Sequence, residues 1–154
     1  MPQRAQRLAD ILADVLEGDP WYGPPLKSTL QGVTAVTAAA RPLEASHTIW
    51  EIVCHIDAWN RVCLRRIAGE SDVRPPVDFP VPETITPGEW RQVQVHMDES
   101  CRRVIAQAAQ LSEAQLASIV PGKDYTVDFL IEGVCQHWIY HSGQIAILRR
   151  ALMG

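Results

Sequence analysis

Four stretches of this chain carry apolar residues at helical spacing, and prolines cut the sequence between them. The first runs from about Gln3 to Glu17, with Leu8, Ile11, Leu12 and Val15 at i, i+3, i+4 and i+7, ended by Gly18 and Pro20. The second runs from about Thr48 to Ala68 with Ile49, Ile52, Val53, Ile56, Trp59, Cys63 and Ile67 on one face, and Gly69 stops it. Ser46 or Thr48 is the expected N-cap, and Thr48 with Glu51 three residues on fits a capping box. The third opens on Thr86 as N-cap, Pro87 at the first helical position and Glu89 closing a capping box, and continues to about Gln110. The fourth begins near Thr126 and reaches about Leu152; Asp128 and Glu132 suit its N-terminal end and Arg149 and Arg150 its C-terminal end through the helix dipole. No repeat, low-complexity tract or strand pattern interrupts this order, so the expected class is all-α.

The connections are long. Residues 21–46 contain Pro24, Pro25 and Pro42, which rule out one continuous helix. Two short helical turns are expected there, near Leu26–Gln31 and Thr34–Ala40. Ser112 and Gln115 predict a further capped turn after the third helix. The stretch GESDVRPPVDFPVPETI reads as a crossover loop and not as a domain linker, because neither flanking half has a core of its own. A single domain over residues 1–154 is expected.

Composition narrows the function classes. Apolar residues make up 47% of the chain, as in a globular protein. The net charge is -4 with no basic stripe, which argues against nucleic acid and against a polybasic membrane anchor. Asp10 and Asp14 break any apolar run near the N-terminus, so no signal peptide is expected, and no stretch approaches the roughly 20 apolar residues of a membrane span. A soluble, cytoplasmic protein is expected. Cys54, Cys63, Cys101 and Cys135 form no CxxC pair and lie inside helical apolar patterns, so they read as small core hydrophobes.

The five histidines are not equivalent. His137 and His141 are four apart on the fourth helix, which stacks two imidazoles on one face, next to Leu130, Val134, Gln144, Ile145 and Leu148. Gly133, one turn before His137, leaves open space beside it. His55 lies among Ile52, Ile56 and Trp59 on the second helix. Three inward histidines on two helices fit a metal site built across a bundle. Two polar core histidines would give the same H-x3-H spacing, and spacing alone does not make the two helices neighbours. His47 reads as a capping or surface residue and His96 as structural. Glu51 could orient an imidazole, but the capping box accounts for it equally well. Gln144 could face the metal pocket. Trp50, Trp59 and Trp138 read as core and pocket walls, and Asp57 and Asn60 as solvent-side polar residues.

Three segments carry a family resemblance. HTIWEIVCHIDAWNRVCLRRIAGE is similar to the DinB/YfiT-like pattern xIWExxxHxxxW, GVCQHWIYHSGQIAILRR resembles that family's last helix with its HxxxHxGQI/L motif, and DPWYGPPLKSTLQGVT resembles its W-x-GP-x-L connection. The resemblance covers nearly the whole chain. It implies a four-helix bundle with long crossover loops, often a homodimer, with His55, His137 and His141 in the three metal-ligand roles.

Three neutral imidazoles leave coordination positions open, the arrangement of a catalytic site. Imidazole suits zinc, nickel, iron or copper, with zinc, nickel or iron the first expectation for a divalent ion. Thiol S-transfer to a small-molecule substrate is the first expectation, since members of the resembled family use low-molecular-weight thiols such as bacillithiol, mycothiol and glutathione. Metal-dependent hydrolysis ranks second: Trp138 follows His137 and Tyr140 precedes His141, so neither HExxH nor HxxEH is present. A non-catalytic bundle binding a metal or small ligand is the third. No residue is marked as the general base.

Overall fold

The computed structural model describes residues 3–154 and is all-helical, with seven helices and no strand among the described residues. Helix α1 spans Gln3–Glu17, α2 Leu26–Thr29, α3 Ala35–Ala39, α4 Ile49–Ile67, α5 Pro87–Gln110, α6 Glu113–Ala117 and α7 Val127–Met153. The four long helices and all three short turns fall where periodicity and capping residues predict them. One isolated antiparallel bridge, Ile119 with Thr126, closes the turn before α7.

The helix starts follow local chemistry. Thr48 accepts from the Glu51 backbone N–H at 3.1 Å, and the Glu51 carboxylate accepts from the Thr48 backbone N–H at 2.6 Å, so both halves of the capping box are made. Ser112 and Gln115 form the same box at the start of α6. At α5 only half of the expected box exists: Thr86 caps the Glu89 N–H at 3.2 Å, but the Glu89 carboxylate accepts from the hydroxyls of Thr84 and Thr86. A second hydroxyl three residues upstream of Pro87 competes for the same oxygen.

Helix α4 packs along α5 and α7, and α1 packs along the same two, while the short turns α2 and α3 lie against α7 and α4. One buried cluster runs through all of these contacts. Leu12, Leu16, Ile49, Ile52, Val53, Ile56, Met97, Ile131, Trp138 and Ile145 lie in its interior. Their burial is what stabilises the fold, at about 1.5–3 kcal/mol for each large side chain taken from water.

Asn60 departs from expectation: it is fully buried. It stands one turn after Ile56 and three residues before Cys63, hence on the core face of α4. Its side-chain oxygen accepts from the Trp138 indole N–H at 2.8 Å, and its amide nitrogen donates to Ser100 Oγ at 3.1 Å and to Cys101 Sγ at 3.2 Å. One polar side chain therefore ties α4 to α5 and α7 with every donor used, which is what makes its burial tolerable.

The cysteines are as expected. Cys63, Cys101 and Cys135 are buried and Cys54 half-buried, all as free thiols. Burial pushes the Cys63 and Cys101 thiols up to about 12, so neither is a nucleophile near neutral pH. No helix among the described residues is long and apolar enough to cross a membrane.

Candidate metal centre

The site sits where α4 and α7 pack together. His55 is on α4, and His137 and His141 are on α7, one turn apart. One ring nitrogen from each of the three lies within 4.8 Å of the other two. His55 Nε2 and His137 Nε2 are 2.9 Å apart. The ring centroids are 4.5–4.9 Å apart, with planes steeply inclined to one another.

Acceptors behind the rings decide which nitrogens face the centre. His55 Nδ1 lies 2.9 Å from the backbone oxygen of Asp78. A carbonyl only accepts, so Nδ1 carries the hydrogen and Nε2 presents a bare lone pair. His141 Nδ1 lies 2.7 Å from the Gln144 side-chain oxygen, which fixes the same tautomer there. In the metal-free protein His137 then donates from Nε2 to His55. Burial pushes the His137 imidazole down to about 3, and the neighbouring His141 and His55 act in the same direction. Burial also lowers His141, against the hydrogen bond it donates to Gln144. Both rings are neutral at physiological pH, the state a metal needs.

The donor set fits a divalent ion: three imidazoles, two held in orientation by an oxygen on the far nitrogen, the usual support of ligating histidines. Gln144 thus touches the site as expected, from behind His141. Glu51 does not orient a ligand imidazole: its carboxylate receives the Arg41 guanidinium at 2.9 and 3.1 Å and closes the α4 cap. Burial alone would raise Glu51, but the Thr48 N–H and Arg41 outweigh it and leave this carboxyl lowered.

Two residues at the site carry no mark in the sequence. Asp78, in the loop between α4 and α5, supplies the carbonyl under His55, and its carboxylate lies 3.1 Å from the same Nδ1 while accepting from Trp59 Nε1 at 2.7 Å. Phe79 lies flat between His47 and His55, with centroids 3.5 and 3.9 Å away and planes within 3°. His47 is therefore a stacking partner of that loop and not the helix cap, which is Thr48. His96 is exposed, bonded to Gln92, and stands outside the cluster. An aspartate and a phenylalanine in a proline-rich loop have no periodicity to betray them. The aromatic directly before Pro80 in a proline-rich loop, DFP, is the available hint.

Beside His137 opens a cavity of about 250 Å³ walled by Trp59, Val62, Leu130, Gly133 and Val134. A Cβ on Gly133 would meet nothing within 4 Å, so this glycine does leave open space next to His137. Trp59 is a wall of the cavity, while Trp50 and Trp138 are core.

A family model described as the DinB superfamily matches residues 26–145, from α2 to two residues beyond Gly143 on α7. The chain belongs to the DinB superfamily. The matched span contains α4, the α4–α5 loop and all three clustered histidines. No curated protein and no solved structure matches the chain. The DinB superfamily is metal-binding, and this DinB chain brings together three histidines that could hold a divalent ion.

Proposed function

We propose that this protein is a metal-dependent enzyme that joins a low-molecular-weight thiol to an electrophilic carbon of a small-molecule substrate. His55, His137 and His141 are the protein's ligands to one divalent ion, zinc, nickel or iron. The observation that carries the reading is the convergence of imidazole nitrogens with fixed tautomers beside an open apolar cavity. The four long helices, each packed along two others, are taken as the four-helix bundle with long crossovers that the family resemblance implies. A homodimer in the cytoplasm is part of the same proposal.

When bound, the ion supplies a positive charge that favours the deprotonated form of a thiol placed next to it. The chain supplies the rest. Asp78 and Gln144 hold two rings so that no reorganisation is needed at each turnover. Trp59, Leu130 and Val134 keep water from the electrophile, and Gly133 leaves it room. The sulfur, having lost its proton, forms the S–C bond, and the leaving group departs with its electron pair. Hydrolysis would call for a carboxylate at the converging nitrogens. Asp78 instead stands behind His55, on the Nδ1 side, which favours the thiol reading over it.

A panel of glutathione, bacillithiol and mycothiol with a chromogenic electrophile, run on metal-loaded protein, tests the proposal. Thiol-dependent turnover that is lost in the His137→Ala, His141→Ala double variant is the expected result. Turnover that needs no thiol would mean a hydrolase, and none with any thiol would leave a binding protein.

A further inference from the structure

Arg66 lines the same cavity as His137 and is only 9% exposed. Its neighbours Arg61 and Arg65 each rest on a carboxylate, at 2.9 and 2.6 Å. Arg66 has none: among the described residues no carboxylate oxygen lies within 4.0 Å of its guanidinium. Nη1 donates to the Tyr125 hydroxyl at 3.1 Å and Nη2 to the Val73 backbone oxygen at 3.0 Å, while the buried Nε–H has no acceptor. Among the described residues the other compensation is the Trp59 ring, whose centroid is 5.6 Å from the guanidinium carbon. A buried cation without a counter-ion is costly, and an anion entering the adjoining cavity would offset that cost.

The remaining walls are apolar: Val62, Phe129, Leu130 and Val134. Such a cavity takes a hydrocarbon body and has one charged group to orient it. A single planar guanidinium already sharing its donors with Tyr125 and Val73 matches a carboxylate monoanion; a phosphate dianion would call for more donors than the lining offers.

We propose that this cavity binds a small organic acid with an aromatic or branched aliphatic body, its carboxylate on Arg66. The proposal rests on the enzymatic reading above in one respect: the bound acid is the substrate that the thiol attacks. Arg66 is then the residue that selects acids over neutral analogues.

Binding can be measured without metal, which separates this proposal from the metal reading. Phenylacetate and its neutral isostere phenylacetamide are titrated calorimetrically into chelator-dialysed protein. The acid is expected to bind at least about tenfold tighter than the amide, the discrimination typical of one hydrogen-bonded charge. In R66M that preference is expected to vanish. G133L, which fills the cavity from the α7 side while leaving Arg66 in place, is expected to weaken both ligands about tenfold or more. His55→Ala is expected to keep the preference, whatever becomes of the metal.

Equal affinity of wild-type protein for acid and amide would overturn the proposal, as would a preference that survives R66M. Tighter binding of phenyl phosphate than of phenylacetate would overturn it too, as would loss of the preference in His55→Ala. Should R66M fail to fold, the acid–amide comparison on wild type and G133L decides the question alone.

Discussion

A histidine becomes a metal ligand through what stands behind it. Gln144 and the Asp78 carbonyl each take the Nδ1 hydrogen of one ring and aim Nε2 at the centre. Gln144→Leu removes one such acceptor while keeping the helix. We expect metal affinity to fall by about 10–100-fold with the fold intact, measured by competition with a chelator. The His137 imidazole, driven by burial to about 3 from the ordinary 6.5, sets a sign for pH. Between those values the unfolded chain binds a proton that the folded chain refuses, so stability falls as pH drops below about 6.5 and is flat above it. Denaturant midpoints of metal-free protein should follow that course, and His137→Leu should make the slope shallower without abolishing it, because burial lowers His141 in the same direction. At this scale the sequence was legible for residues with a positional signal. The four-residue spacing of His137 and His141 marked a shared face, and Gln144 followed from it. Asn60 was misread because polarity was weighed above its place one turn after Ile56, and Asp78 and Phe79 have no spacing to read.

Five of the seven helices, α3 to α7, start on a Thr or Ser cap, α2 starts directly after Pro25, and the long helices carry apolar faces in their middles. That is why all seven were foreseeable to within a few residues. The capping box at Thr48 matters most, because α4 carries His55 two turns further on. Thr48→Ala should cost about 1 kcal/mol of stability, read from chemical denaturation, with metal still bound in the folded protein. What could not be foreseen is adjacency. Periodicity assigns a buried face to each helix but not the helix that covers it, so the meeting of α4 with α7 needed coordinates or the family resemblance. The α4–α5 crossover was read only as a connection. It proves to be a wall of the site, because Phe79 is gripped between two imidazoles and brings the Asp78 carbonyl with it.

Across the whole molecule, the core and the metal centre are separable. The buried cluster spans all four long helices and holds its own polar tie, Asn60, whereas the three histidines sit at the junction of only two. His55→Ala should therefore lose metal yet unfold at nearly the wild-type denaturant concentration once both proteins are metal-free. Loss of the fold would mean that the imidazoles serve the core. The same separation lets the centre be tested in isolation. Elemental analysis of protein purified without added metal, set beside the His137→Ala, His141→Ala double variant, is the most direct measurement. We predict about one transition-metal ion per chain in the wild type and almost none in the variant. Near-zero metal in both would contradict the account at its root.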